Sequence, residues 1–393
     1  MPARFRVLFI HGGAVTDIES AKTARRTFTE LGYTLDDFSL GGDDRAADRL
    51  SEYLNQYGQE LAFFLGSNAY TFAFRQGTAL LHDITGIPLV MMLHDHPIYF
   101  RDAITSDANG LIVLATDEPS RDFIREHYPA SLTTIVNYGS IPANATDDEP
   151  AFEEFQRRQN ALLCPMNLII HGLTIDTAWA QIQQLPEPRR ARARRLCDAV
   201  LYDFETPLQV ISDRMHAAGD PASDINDVRF VLNFVKLWRR NHVIRQLIEL
   251  PMLVGSEYVP ADLAFDYPEK FRPLDWLQTI PLYRTYRFVL NLNPLLTGAL
   301  HDRVTNALFA NAVAITDPNA FVRQYFEDEV DMLFVDLGPS TVEKVARYLD
   351  DPEAAFALTR NAARKRRQYD FWVSSYRELV TEVEARWAAR ATV

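Results

Sequence analysis

Three polar residues at the end of an apolar run are of types suited to proton transfer. In GIPLVMMLHDHPIYF, Gly86 to Phe100, the run stops at His94 and is followed by Asp95 and His96. An apolar stretch this short reads as a β-strand, and its carboxyl end delivers side chains to the crevice where open α/β sheets place their ligands. A carboxylate or imidazole there can take the proton of an attacking hydroxyl, so Asp95 and then His96 are the candidate bases, with His94 beside them. A local role is the competing assignment: Asp95 capping the turn before Pro97, and the histidines meeting buried carbonyls.

A second stretch, LNLNPLLTGALHDRVTNALFANAVAITDPN from Leu290 to Asn319, reads as strand, glycine-bearing loop, helix and strand. A helix that opens at His301-Asp302-Arg303 after a parallel strand turns unpaired N–H groups and its positive dipole end toward a ligand, which suits a phosphate. Arg303 adds a bidentate grip on phosphate oxygens, unless it pairs with Asp302 or Asp317 instead. Val304, Ala307, Leu308 and Ala310 have the spacing of a buried stripe, leaving His301, Arg303 and Asn306 nearer the edge that faces a ligand. Gly298 and Thr316 stand at the loop and the second strand end of the same unit.

Glycines elsewhere mark places where backbone can approach a ligand closely. They are Gly12 and Gly13 after the first strand, Gly66 with Ser67 and Asn68 after the third, and Gly255 with Ser256 and Glu257 after a later one. Arg239, Arg240 and Arg245 lie on the helix before Gly255. One of them can reach phosphates, and a solvated helix face suits at least two.

These residues need elements to position them, and 393 residues suffice for two domains with separate cores. Short apolar runs alternate with helical patterns in the first 145 residues, with strands expected at Phe5–Ile10, Thr34–Leu40, Leu61–Leu65, Pro88–Leu93, Leu111–Thr116 and Leu132–Val136. That rhythm is the signature of a parallel sheet with helical crossovers. Residues 146–235 are more polar, with helical spacing, and are expected to form a helical insertion or interdomain segment. Alternation resumes over 236–367, with strands at Pro251–Val254, Phe288–Leu292, Val313–Thr316 and Met332–Val335, giving a second, smaller Rossmann-like domain. A last helix, 368–393, is placed to return to the first domain.

Composition narrows the chemistry. A net charge of −13 argues against a nucleic-acid partner, since phosphate neutralisation needs clustered cations. The one basic run, RRARARR from Arg189 to Arg195, leads into Leu196 and Val200 and suits either a solvated face or peripheral contact with anionic headgroups. No apolar run approaches the roughly 18 residues a membrane span needs. The amino terminus runs directly into a first strand rather than a leader peptide, and the two cysteines, Cys164 and Cys197, fit packing in a reducing cytoplasm. Walker, G-x-G-x-x-G, H-E-x-x-H and G-x-S-x-G patterns are missing, and so is D-x-D, the simplest carboxylate pair for a divalent ion on a diphosphate. No metal site and no cofactor are expected.

The Leu290–Asn319 segment resembles the donor-binding motif of GT-B glycosyltransferases, nearest the CgeB-like branch, whose pattern runs about H-x-R-V-x-E-A-L-A-x-G before a strand. His301, Arg303, Val304, Ala307, Leu308 and Ala310 match it; Asn306 stands where the family has the glutamate of the donor ribose, and Asn311 where it has the helix-ending glycine. Gly86–Phe100 is similar to the strand and His-bearing loop of the same superfamily. The resemblance implies two Rossmann-like domains facing across a cleft. It also implies metal-independent transfer from a nucleotide-diphosphate sugar to a hydroxyl on a glycan, protein or lipid-linked acceptor. Two alternatives are a non-catalytic scaffold or nucleotide-sugar sensor, pointed to by Asn306, and a sugar epimerase using Asp95 with Glu257.

Overall fold

A computed structural model describes residues 4–12, 15–40, 45–67, 75–76, 79–100, 111–128, 132–137, 142, 145, 148–170, 172–218, 225–292, 297–369 and 371–391. The chain divides into two compact units, residues 1–143 with 370–393 and residues 144–369.

In the first unit six parallel strands form one sheet: β1 (Arg6–His11), β2 (Thr34–Ser39), β3 (Leu61–Ser67), β4 (Leu89–Met92), β5 (Leu111–Ala115) and β6 (Thr133–Val136). Their order is β2-β1-β3-β4-β5-β6. The helices α1 (Val15–Glu30), α2 (Ala46–Tyr57) and α3 (Glu118–His127) are crossovers between them. Strands covered on both faces must be apolar throughout, and β3 and β5 are buried at every position. Asp117 starts α3 by accepting the Ser120 N–H at 2.8 Å, satisfying one of the donors a helix leaves open. The order reverses between β1 and β3, so the ligand crevice of this sheet lies at the ends of those two strands.

The second unit repeats the plan. Its strands are β7 (Gln159–Cys164), β8 (Met252–Gly255), β9 (Phe271–Arg272), β10 (Tyr286–Leu290), β11 (Val313–Thr316) and β12 (Leu333–Phe334), all parallel in the order β9-β8-β7-β10-β11-β12. Between β7 and β8 run four helices, α4 (Ile175–Gln183), α5 (Arg189–Leu201), α6 (Leu208–Ala217) and α7 (Ile225–Leu247). After β10 come α8 (Asp302–Phe309), α9 (Ala320–Tyr325), α10 (Ser340–Asp350) and α11 (Pro352–Gln368). The switch point here is between β7 and β10, the strand that leads into α8.

The stretch 146–235, read from sequence as a helical insertion, is therefore corrected in one respect: it supplies β7, which pairs with both β8 and β10. Only the second half of QNALLC is deeply buried, so no alternation announces it. Helix α11 ends at Gln368. The final helix, α12 (Phe371–Ala391), belongs to the first unit, where Tyr376, Leu379 and Val383 join the core of the β1–β6 sheet. Trp387 Nε1 donates to the Ala62 carbonyl at 2.8 Å, and the Arg4 guanidinium covers the Trp387 ring at 3.7 Å.

Helix α8 ends as the sequence suggests, with Asn311 in the left-handed region at φ +53°. Asparagine tolerates this conformation and β-branched residues do not. Replacing Asn311 by Val should lower the stability of the second unit by about 1–2 kcal/mol, while Asn311→Gly stays within about 0.5 kcal/mol. Thermal melts of the two variants beside the parent protein check this, and equal losses would show that the backbone conformation is not what holds the position.

Candidate functional site

The site of the second unit is built on the first turn of α8. His301 is its N-cap, and its Nδ1 accepts the backbone N–H of Arg303 at 3.2 Å. Val304, Ala307, Leu308 and Ala310 are buried, whereas His301, Arg303 and Asn306 lie half-buried on the other face, as the stripe implied. Arg303 donates through one terminal nitrogen to Asn291 Oδ1 at 3.3 Å and approaches His301 Nε2 at 3.4 Å. Its Nε is buried with no hydrogen-bond partner, and it forms no ion pair with a carboxylate among the described residues. Neither Asp302 nor Asp317 closes a salt bridge with it, so the structure leaves a guanidinium held by a neutral amide at the positive end of a helix. Asn306 turns back on its own helix, donating through Nδ2 to the Asp302 carbonyl at 2.8 Å.

Burial, assisted by the cations Arg303 and Arg240 and opposed by Asp302, holds His301 below the ordinary imidazole range. Two hydrogen-bond arrangements exclude each other in the neutral ring. With the proton on Nε2, Nδ1 accepts from Arg303 N–H; with it on Nδ1, the ring donates to the adjacent Asp302 carboxylate and Nε2 accepts from Arg303. Arg303 thus touches both nitrogens, one through its backbone and one through its side chain.

Behind Arg303 runs a buried polar chain across the ends of β10 and β11. Asn291, 2 % exposed, donates to Thr316 Oγ1 at 3.0 Å, and that hydroxyl donates to Asp317 Oδ1 at 3.2 Å. The Thr316 hydroxyl thus takes part in this chain. Gly298 sits in a loop pinned from both sides, since the Thr297 carbonyl accepts Phe321 N–H and the Ala299 carbonyl accepts Asn319 Nδ2. Gly255 ends β8, where a Cβ would stand 3.1 Å from Leu274 Cδ1. Sequence reading missed Tyr283, whose hydroxyl is buried, lacks a partner, and feels the charges of Asp302 and Arg303. Burial foremost raises its pKa, so it stays a neutral donor.

The arginines of α7 are not a solvated face. Arg239 is 1 % exposed and caps the end of α5, donating to the carbonyls of Val200, Leu201 and Asp203. Burial lowers its pKa to about 10, against the pull of Asp317 and Asp203, so it keeps its charge at neutral pH. Arg240 is buried, donates to the Asn167 carbonyl at 3.3 Å just past β7, and its charge reaches His301. Of the three it is the one beside the site. Arg245 is exposed and pairs with Asp262. The basic run of α5 is likewise turned onto the protein: Arg189 holds Asp227 with two bonds, Arg190 holds Glu187, Arg192 reaches Ser212, and Arg194 meets Gln183. Arg192 is buried, whereas Arg189, Arg194 and Arg195 keep exposed surface.

In the first unit His94 and Asp95 are exposed just past β4, and His96 is half-buried. The His96 ring stands edge-on to Phe123 at 4.9 Å, and its Nδ1 accepts the Ile98 N–H at 3.2 Å. Burial pushes His96 down to about 4, with Asp95 pulling up and His127 pushing down. A neutral ring that accepts at Nδ1 carries its proton on Nε2, so His96 presents a hydrogen-bond donor there. Gly66 and Ser67, read as a loop, lie within β3 opposite Met91 and Met92. Gly12 follows β1 at the switch point, half-buried; Gly13 and Asn68 lie outside the described residues. A pair that sequence reading did not single out is His11, buried at the end of β1, with Nε2 at 2.7 Å from Asp37 Oδ1.

Residues 228–380 match the family model described as glycosyl transferase-like. No curated protein matches by sequence. Among solved structures, the chain is similar to Anabaena HepE in complex with UDP-glucose at 13 % identity and TM-score 0.48, covering 97 % of this chain and 99 % of that one. Sucrose-phosphate synthase from Thermosynechococcus elongatus gives 11 % and 0.49, covering 98 % and 100 %. A glycosyltransferase from Rickettsia africae gives 11 % and 0.45, covering 97 % and 98 %. The two-domain Rossmann-like architecture is drawn from the chain's own sheets.

His96 titrates near 6.5 when unfolded and near 4 when folded, so between those values the unfolded chain binds more protons. Stability of the first unit should be complete above pH 6.5 and fall as the pH drops toward 4. His96→Gln should flatten that decline. Urea titrations across this range test it, and an undiminished slope in the variant would place the titration elsewhere.

Proposed function

We propose that the chain is a glycosyltransferase that moves a sugar from a nucleotide-diphosphate donor to a hydroxyl acceptor without a divalent ion. The observation that carries this is Arg303, a guanidinium with no carboxylate partner among the described residues, at the first turn of α8 beside the switch point of a Rossmann-type sheet. An anion is what such a place stabilises. The match of residues 228–380 to a glycosyl transferase-like family supports reading that anion as the diphosphate of a donor sugar.

In the proposed reaction Asp95 takes the proton of the acceptor hydroxyl, whose oxygen bonds to the anomeric carbon as the bond to the diphosphate breaks. The charge that develops on the departing diphosphate falls to Arg303, to the N–H groups that open α8, and to the field of Arg240. His301, neutral at physiological pH, offers its Nε2 proton to the donor when the phosphate draws the Arg303 side chain away. The absence of D-x-D from the sequence supports assigning the whole neutralisation to these groups.

The rival reading, a nucleotide-sugar sensor without transfer, draws on Asn306, a neutral amide bonded to its own helix. Turnover decides between the two.

A thermal-shift screen of UDP-, GDP-, ADP- and dTDP-sugars first identifies the nucleotide. Calorimetric titration should then show Arg303→Ala weakening it by about ten- to a hundredfold, the equivalent of a charge-assisted bond of about 1.5–3 kcal/mol, with an unchanged melting temperature. Parental affinity in the variant would remove Arg303 from the site. With EDTA present throughout, Asp95→Asn should lower turnover by at least about a hundredfold and leave donor affinity as it was. Equal turnover in the two proteins would return Asp95 to a structural role.

A further inference from the structure

The helices between β7 and β8 leave a pocket of about 620 Å³ where the α5–α6 loop meets α9. Tyr202, Asp203, Phe204, Glu205 and Thr206 form one wall, and Arg323 stands on the other beside Pro318. Its volume is that of a small-molecule site. No residue considered for the transfer reaction lines it.

The wall is held rigid without a ligand. Asp203 Oδ1 accepts the N–H groups of Glu205 and Thr206 at 2.9 and 2.8 Å, closing the loop on itself. From beneath, Arg239 takes three carbonyls of the α5 end and covers the Phe204 ring at 4.3 Å. Glu205 is ion-paired to Arg323, whose guanidinium lies 5.5 Å from the Phe334 ring. A preorganised wall gives up little freedom on binding.

Its chemistry is two-sided. Tyr202 is 66 % exposed, yet it is backed edge-on by Trp238 at 6.0 Å, and Trp238 stacks on His242 at 4.5 Å and 10°. A supported aromatic ring left in water offers a flat apolar face with polar groups around it. Beside it are the carboxylates of Asp203 and Glu205, the Thr206 hydroxyl and the Arg323 guanidinium, which between them can accept and donate several hydrogen bonds. A ligand that fits both halves has an apolar C–H face and a rim of neutral hydroxyls. Two carboxylates at the wall disfavour a phosphate or other anion, and the net charge of −13 disfavours nucleic acid.

We propose that this pocket is a carbohydrate subsite that takes a neutral pyranose of an oligosaccharide, stacked on Tyr202, independently of any nucleotide. It goes beyond glycosyl transfer and stands whether or not the donor assignment does.

Saturation-transfer difference NMR on the full chain tests it, with maltotetraose, cellotetraose, mannotetraose and chitotetraose as separate probes. At least one should receive saturation at its ring C–H protons. Tyr202→Ala should weaken that probe by about tenfold or more, while Tyr202→Phe, which keeps the ring, and excess UDP, which occupies only the proposed phosphate site, leave it unchanged. Because Tyr202 is largely exposed, the Ala variant should melt with the parent. The proposal fails if none of the four probes receives saturation, if Tyr202→Ala binds as the parent does, or if UDP abolishes the signal.

Discussion

A helix of two turns does not hold its own shape in water, because nucleation fixes several residues for each hydrogen bond gained. Helix α8 has eight residues, so its direction depends on what grips its ends. At the carboxyl end, Arg158 donates to the carbonyls of Ala310 and Asn311 at 2.8 and 2.9 Å, and Arg366 donates to that of Leu308 while covering the Phe309 ring at 4.7 Å. Both guanidiniums are buried, and their charge meets the negative end of the dipole. At the other end His301 caps the first turn. Two cations at the tail leave the head free to face an anion, and the position of Arg303 follows from that arrangement.

The support reaches further than one helix. Arg158 precedes β7 and Arg366 is on α11, while Asn291 follows β10 and Thr316 ends β11, the two strands that flank α8 in sequence. The polar chain from Arg303 to Asp317 thus ties the ends of β10 and β11 together where the parallel ladder stops and backbone pairing no longer fixes them. Asp317 also helps keep the buried Arg239 charged, and Arg239 in turn fixes the end of α5. A polar network this buried is stable only when its members are satisfied, so the helices between β7 and β8 are part of what orders the strand ends.

The inner strands of the first sheet were legible because strands covered on both faces are written as apolar runs, and RVLFI, LAFFL and LIVLA need no pattern beyond that. The α8 stripe was legible for the complementary reason, a helical period strong enough to separate Val304, Ala307 and Leu308 from Arg303 and Asn306. What stayed hidden was polar residues facing inward. Arg239, Arg240 and Arg192 count as surface in any periodicity argument, yet each is buried, and Arg239 in particular is held there by carbonyls at the end of α5. Buried arginine is decided by backbone acceptors that only the folded chain brings near. Strand β7 escaped for a different reason: it opens with the exposed Gln159 and Asn160, the latter donating to the Leu349 carbonyl. Gly66 and Gly255, read as following their strands, lie within them, paired with Met91 and Arg272.

Asn306 shows how one substitution redistributes work within a site. A glutamate at this position would have only acceptor oxygens, so it could not donate to the Asp302 carbonyl and its carboxylate would extend outward toward ribose hydroxyls. Asparagine is a carbon shorter and neutral, and it spends a donor on that carbonyl. Its Oδ1 is a weaker acceptor than a carboxylate, because neutral hydrogen bonds have roughly half the strength of ionised ones. Loss of the negative charge has a second consequence. A glutamate one turn from Arg303 would partly neutralise the guanidinium, since residues three apart on a helix are neighbours, whereas asparagine leaves its full charge to the ligand. In the proposed donor site, what the ribose contact gives up the phosphate contact gains.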